Sequence, residues 1–407
     1  MTLAGLAAAM PLAGCNTGST PGASDRHLQP LSNRILAELE ARNMGEQSPI
    51  LMRIFKEEAE LEVWKQDNTG RFALLSTYPI CRWSGELGPK IKQGDRQAPE
   101  GFYTITPGLM NPNSNNYLAI NTGFPNAFDR ANGRTGSFLM IHGDCSSSGC
   151  YAMTDEQIAE IYALAREAFL GGQKSFQVQA FPFRMTPRNM ARHRNSPHLP
   201  FWSMLKQGYD HFEVTGLEPK VDVCDKRYVF NAETTAHFSA AEACPAYKVP
   251  EELAAAVRHK QRRDDILTAE LISRGMPPAP ASTGADGGMH ASFLAAVKSH
   301  GGPGATIRTA SGTVPAYVKP PAEPAQAAAV PVVPMPEMPR SAQVASPESS
   351  ARFGSSPPAG SPAPKSERRA PAVHDTLPVQ VGAPKTKIAA PNPSRPPPAS
   401  LWSPWEA

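Results

Sequence analysis

A histidine and a cysteine that could act together lie eight positions apart in the run Ile141-His142-Gly143-Asp144-Cys145-Ser146-Ser147-Ser148-Gly149-Cys150. An imidazole within hydrogen-bond reach of a thiol is a general base for a sulfur nucleophile, the pair needed for acyl transfer through a covalent intermediate. The glycine- and serine-rich loop between them can fold back and bring the two side chains together. Gly149 permits close backbone approach, so the amide of Cys150 and a neighbouring loop N–H near Ser148 could receive a developing oxyanion. A helix start beside Cys150 and an imidazolium at His142 would both favour the thiolate and lower the thiol pKa.

Cys145 is a second thiol on this loop, but it lacks the helix-start context and reads as a disulfide partner or a structural thiol. His142, Asp144, Cys145 and Cys150 include ligand types without a paired Cys-x-x-Cys spacing, so no metal is expected, and the chemistry calls for no cofactor. His193 and His198, near a proline in a polar stretch, read as surface or structural residues rather than a second base.

These residues need elements to hold them. Gly136 to Ile141, apolar in succession from Phe138, reads as a strand buried on both sides that delivers His142. After Cys150, Thr154 is an N-cap, Asp155 and Glu156 occupy the first turn, and Gln157 completes a capping box. Ile158, Ile161, Tyr162, Ala165 and Phe169 then share one helical face until Gly171-Gly172. Upstream, Ser32 to Leu39 and Pro49 to Ala59 carry helical spacing, the second with Ile50, Leu51, Ile54 and Phe55 on one face. Asp67-Asn68-Thr69-Gly70 is a turn signal between Glu62–Lys65 and Arg71–Tyr78, predicting a β-hairpin. Gly101–Thr106, Tyr117–Asn121 and Phe176–Phe183 read as strands. Thr186-Pro187 opens a helix, Phe201–Gly208 forms another, and His211–Thr215 and Arg227–Phe230 read as edge strands. Trp202 and Tyr209 read as core packing in preference to groove lining. The predicted fold is mainly β, sandwich-like, with packed helices.

The 407 residues do not all read as folded. Of 43 prolines, 23 lie in residues 301–407 among Ala and Ser, so that stretch cannot bury enough apolar surface to offset its ordering entropy. It reads as a disordered proline- and alanine-rich tail or spacer, with Pro315–Pro339 and Pro391–Pro398 semi-rigid. The division expected is 1–15 signal segment, 16–60 tether and N-terminal helical region, 61–249 catalytic domain, 250–300 marginal helical appendage, and 301–407 tail. A net charge of +3 from 40 basic and 37 acidic residues is too balanced for a nucleic-acid partner. Cys224 and Cys244 are the preferred disulfide, while Cys81 and Cys145 could pair or stay as buried thiols.

Thr2 to Gly14 is small and apolar, and Leu12-Ala13-Gly14-Cys15 resembles the lipobox of bacterial lipoprotein signals, which implies export to the periplasm and a membrane anchor through lipid on Cys15. No Lys or Arg precedes Arg26, as a start upstream of Met1 would leave.

The His142–Cys150 segment itself resembles the signature of the L,D-transpeptidase catalytic domain, which acts on bacterial peptidoglycan. His142-Gly143 matches its first pair, and Ser147, Gly149 and Cys150 match its Ser-x-Gly-Cys element. Ser148 stands where the commoner signature has a second histidine, and Tyr151-Ala152 replaces the usual residue and arginine. The short loop, with Ala152-Met153-Thr154-Asp155 after it, is similar to a proteobacterial subgroup. Tyr78-Pro79-Ile80-Cys81, Gly94 to Gly101, Pro182 to Thr186 and Asn189 to His193 extend the likeness over residues 61–232. The resemblance implies that Cys150 attacks a peptide carbonyl, His142 is the base, and the Gly143 carbonyl orients the imidazole. It implies stem peptides of peptidoglycan as substrate. Apart from the resemblance, Arg184, following a strand and preceding a helix start, and less strongly Arg96 and Arg82, are candidates to bind a diaminopimelate or terminal carboxylate through bidentate pairing, beside the alternative of a solvated arginine or a structural ion pair. A transferase joining stem peptides is the first expectation. Release of murein lipoprotein from diaminopimelate by a hydrolase is the second, and a non-catalytic wall-binding lipoprotein the third.

Overall fold

The hairpin turn forms as its residues dictate: Gly70 takes φ +79°, and the Asp67 carboxylate accepts the Thr69 N–H at 2.8 Å. In the computed structural model, which describes residues 25–280 and 287–300, this turn joins the second and third strands of a five-stranded sheet. In chain order the elements are α1 (Asn33–Ala41), β1 (Ile50–Phe55), β2 (Glu60–Gln66), β3 (Phe72–Pro79), β4 (Arg82–Trp83), β5 (Gly101–Ile105), β6 (Met110–Asn111) and β7 (Ala119–Asn121). They continue with α2 (Ala127–Ala131), β8 (Met140–His142), β9 (Tyr151–Ala152), α3 (Asp155–Leu170), β10 (Phe176–Phe181), α4 (Pro187–Arg192) and α5 (Leu199–Thr215). The hairpin β11 (Val221–Cys224) and β12 (Arg227–Phe230), then α6 (Glu251–Ser273) and α7 (Ala291–His300), follow.

One sheet runs β3-β2-β1-β10-β5 and the other β4-β9-β8-β7-β6. Along β1, Ile50, Met52 and Ile54 face the main core, which they share with Ile141 and Tyr151 of the second sheet and Ile158 and Ile161 of α3. Leu51 and Phe55 face the other way, among the aromatic residues under α5. Both faces of the first sheet are therefore covered, and β1 is buried at every position.

That burial explains the first correction. Residues 49–59, expected as a helix, supply a strand, because an apolar run buried on two faces has no alternation to betray it. The expected short helix at Phe201–Gly208 and edge strand at His211–Thr215 are one helix, α5, with Trp202, Leu205, Tyr209 and Phe212 on its buried face and Gly216 as a left-handed cap. The expected strand from Gly136 begins only at Met140, and Phe138 points out, 72% exposed. Helices hold more residues than strands, so the fold is mixed α/β and not mainly β.

α3 starts as the capping box requires, with the Thr154 hydroxyl accepting the Gln157 N–H and the Gln157 side chain returning the bond. α6 packs on α4 and α5, and its buried Asp264 accepts Lys206 from α5 at 2.8 Å. Cys15 and residues 301–407, on which the lipid-anchor and tail expectations fall, lie outside the described residues.

Candidate active site

Strand register brings the candidate pair together. β8 and β9 run parallel with Ile141 beside Tyr151 and His142 beside Ala152, which sets Cys150 level with Met140. Met140 and His142 share one face of β8, so the His142 Cα is diagonal to that of Cys150, one strand spacing of about 4.8 Å across and about 6.6 Å along. Cys150 is the only cysteine left free among the described residues.

His142 is buried, and its Nδ1 lies 2.6 Å from the Gly143 carbonyl oxygen. A carbonyl can only accept, so Nδ1 carries the hydrogen and Nε2 is left as the basic nitrogen. Gly143 is itself fixed: its N–H donates to the carbonyls of Asn116 and Leu118, and a Cβ there would stand 2.5 Å from Asp155 Oδ1 and 2.9 Å from the Asn116 oxygen. The loop continues through left-handed Asp144 and Cys145, with the Asp144 N–H donating to Asp155 Oδ1 at 2.9 Å. Cys145 is disulfide-bonded to Cys81, just before β4, which removes it as a competing nucleophile. Cys224 is paired with Cys244.

The thiol environment differs from the expectation. β9, Met153 and Thr154 separate Cys150 from α3 along the chain, and the groups bonded to the sulfur are the Met140 N–H and the Phe138 carbonyl. Burial pushes the Cys150 thiol up, opposed by the Met140 N–H at 3.5 Å and by the charge of Lys90. Burial likewise pushes the His142 imidazole down, against the Gly143 carbonyl and Asp144. Low polarity thus disfavours the charged form of each group, which works against a resting thiolate–imidazolium pair.

The oxyanion expectation also needs correction. Ser147 Oγ accepts the N–H groups of both Gly149 and Cys150, at 3.3 and 3.1 Å, and donates to the Cys150 carbonyl. Ser84 in turn donates to Ser147. The backbone donor aimed at the sulfur is Met140. Ser148 is exposed on the loop and Gly149 takes φ +126°, close to Arg96 and Gln97.

The three arginines part company. The Arg184 guanidinium is held by Glu60 and Glu62 at 2.5 and 2.6 Å and stacks on Phe55, so it is committed to the protein's own carboxylates and not placed for a ligand's. Arg96 is exposed with its backbone against Gly149, and Arg82 lies on β4 beside Ala152. His193 stacks on Phe183 and meets Glu57 at 3.1 Å, a structural role, and Trp202 is core.

Sequence reasoning missed what braces the site. Lys56, fully buried, donates to the carbonyls of Glu86, Gly88 and Ala98 and to Glu100, whose other oxygen accepts Trp202 Nε1. This ties the end of β1 to the 86–100 loop, which reaches Gly149 and accepts the Tyr151 hydroxyl on Pro99. A charged lysine directly after the apolar Ile54-Phe55 was the available signal.

A model of the L,D-transpeptidase catalytic domain, the YkuD domain, matches residues 54–178, from within β1 to within β10. The curated "Putative L,D-transpeptidase YafK" of Escherichia coli strain K12 is 47% identical over 204 residues, covering 50% of this chain and 82% of that protein. The chain belongs to the L,D-transpeptidase family. The same protein from Escherichia coli O157:H7 matches equally. Among solved structures, the helical cell shape determining protein Pgp2 from Campylobacter jejuni is 23% identical, covering 38% of this chain and 55% of that one with a TM-score of 0.25. Bd1075 from Bdellovibrio bacteriovorus is 17% identical, covering 43% and 76%, with a TM-score of 0.24. As an L,D-transpeptidase family member the chain falls among enzymes of peptidoglycan, and the His142–Cys150 loop lies inside the matched domain.

Proposed function

We propose that this L,D-transpeptidase family member is a cysteine acyltransferase that acts on diaminopimelate-containing stem peptides of peptidoglycan through a thioester on Cys150. The observation that carries the reading is the β8–β9 register, which sets Cys150, a free cysteine, diagonal to His142, whose Nδ1–H is already engaged by Gly143. His142 Nε2 takes the thiol proton as sulfur bonds to the carbonyl carbon, and the Met140 N–H receives developing negative charge. The adduct collapses with cleavage of the C–N bond, and the imidazolium returns the proton to the departing amine. An acceptor amine then attacks the thioester with His142 as base, which frees the thiol. Arg96, whose backbone lies beside Gly149, and Arg82, on the strand next to β9, are the residues this reading assigns to a substrate carboxylate. The reading includes action in the periplasm, Cys15 as the lipid-bearing residue, and residues 301–407 as a spacer.

The test is incubation of the protein and its Cys150→Ala variant with defined tetrapeptide muropeptides and with sacculi carrying covalent lipoprotein, followed by mass spectrometry of the products. New cross-links or terminal amino-acid exchange that need Cys150 support the transferase. Cys150-dependent lipoprotein release without cross-links replaces it by a hydrolase, and turnover indifferent to Cys150→Ala refutes both.

A further inference from the structure

Phe138 combines three properties that folding alone does not call for. It is a bulky residue held at φ +57°, in the left-handed region that such side chains rarely adopt. The residue is 72% exposed although the next one, Leu139, is buried in the core. Its carbonyl oxygen is 3.8 Å from the Cys150 sulfur, so its side chain springs from the backbone that borders the nucleophile.

The turn that presents Phe138 is built on both sides. Before it, Gly136 takes φ +140°, and a Cβ there would press to 2.8 Å from Lys90 Cε and 3.4 Å from the Phe124 ring. After it, the Leu139 carbonyl accepts both the N–H and the hydroxyl of Thr122, and the Leu139 side chain lies against Gly149. Leu139 is buried, so the two residues are thrown to opposite sides with no slack between them. Backbone strain and an exposed aromatic at the same position, beside a reactive sulfur, are the combination that binding sites use.

We infer that Phe138 is a specificity-determining residue: its ring is the apolar platform for the aliphatic part of the amino-acid residue whose carbonyl Cys150 attacks. The inference rests on the acyl-transfer reading above. A substrate side chain of methyl or unbranched methylene groups would cover the ring, while the scissile carbonyl lies over the sulfur and the Met140 N–H. The left-handed backbone leaves the Phe138 side chain in solvent while its carbonyl borders the thiol.

The test compares Phe138→Ala, Phe138→Leu and Phe138→Gly in the full chain. Steady-state kinetics on a tetrapeptide muropeptide are read beside the rate of iodoacetamide alkylation of Cys150 and the melting temperature. Expected are a fall in kcat/KM of about tenfold or more, borne mainly by KM, in Phe138→Ala and Phe138→Gly, with most activity kept in Phe138→Leu. Alkylation should stay within about twofold of the parent, and Phe138→Gly should melt no lower, since glycine relieves the left-handed backbone. Unchanged kcat/KM in Phe138→Ala overturns the inference, as does a parallel fall in alkylation, which would make the residue a support of the loop. Turnover that survives Cys150→Ala marks failure of the underlying reading instead.

Discussion

His142 donates its Nδ1–H to the carbonyl of Gly143 across 2.6 Å, and that carbonyl belongs to a residue whose Cα has no room for a methyl group. The base is thus oriented by the backbone immediately after it, in place of the separate carboxylate that often orients a catalytic histidine.

Replacing Gly143 by Ala should therefore damage the base without touching it. The new Cβ meets Asp155 Oδ1 at 2.5 Å and the Asn116 carbonyl at 2.9 Å, and a backbone oxygen cannot step aside cheaply. Expected are a loss of about 1–3 kcal/mol of stability and a fall of about 100-fold in kcat/KM, read by thermal melting and muropeptide turnover.

Burial lowers the His142 pKa and raises that of Cys150, so between the two values both groups are uncharged. The base is competent above the histidine pKa. The acid limb of kcat/KM should accordingly fall below the ordinary imidazole value of about 6.5. Alkylation of the free enzyme by iodoacetamide should still be rising at a pH of about 9. A resting thiolate–imidazolium pair would instead give alkylation that is flat across neutral pH.

The Cys81–Cys145 bridge closes 64 residues of chain and anchors the middle of the His142–Cys150 loop beside β4. Its loss in a Cys81→Ser/Cys145→Ser variant should cost about 4 kcal/mol on the chain-entropy estimate and reduce turnover. Dithiothreitol should reproduce both effects in the parent, apart from its action on Cys224–Cys244, which the same treatment of the double variant measures.

Lys56→Met should leave Glu100 buried without its cation and take the lysine donor from three carbonyls, of which Glu86 and Gly88 keep the Gln97 amide and Ala98 does not. A destabilisation of about 3–5 kcal/mol, with poorer substrate turnover through the 86–100 loop, is the expected outcome of denaturant melts and kinetics.

Much of this site is local and therefore legible from sequence. His142, Cys150 and the Gly143 carbonyl lie within nine residues, and the Thr154–Gln157 box declares where α3 begins. What sequence reading got wrong involves partners distant in the chain. β1 reads as a helix because both its faces are buried, and the second face is covered by α5, some 150 residues on. Of the two readings open for Arg184, a ligand's carboxylate or a structural ion pair, the fold selects the second, with Glu60 and Glu62 over 120 residues away. In sequence three residues separate Cys150 from the Thr154 cap, which predicts a lowered thiol pKa, but those residues form β9 and its exit and burial raises it. Ser147 is a motif residue in sequence, but only the fold shows its hydroxyl accepting the Gly149 and Cys150 amides.

The most direct measurement is the intact mass of the protein, quenched in acid during turnover of a tetrapeptide muropeptide, with peptide mapping of any adduct. An acyl group on Cys150 that hydroxylamine removes, absent from Cys150→Ala and scarce in His142→Ala, is the result expected. Turnover with no adduct on Cys150, or undiminished in Cys150→Ala, would contradict a thioester at this cysteine.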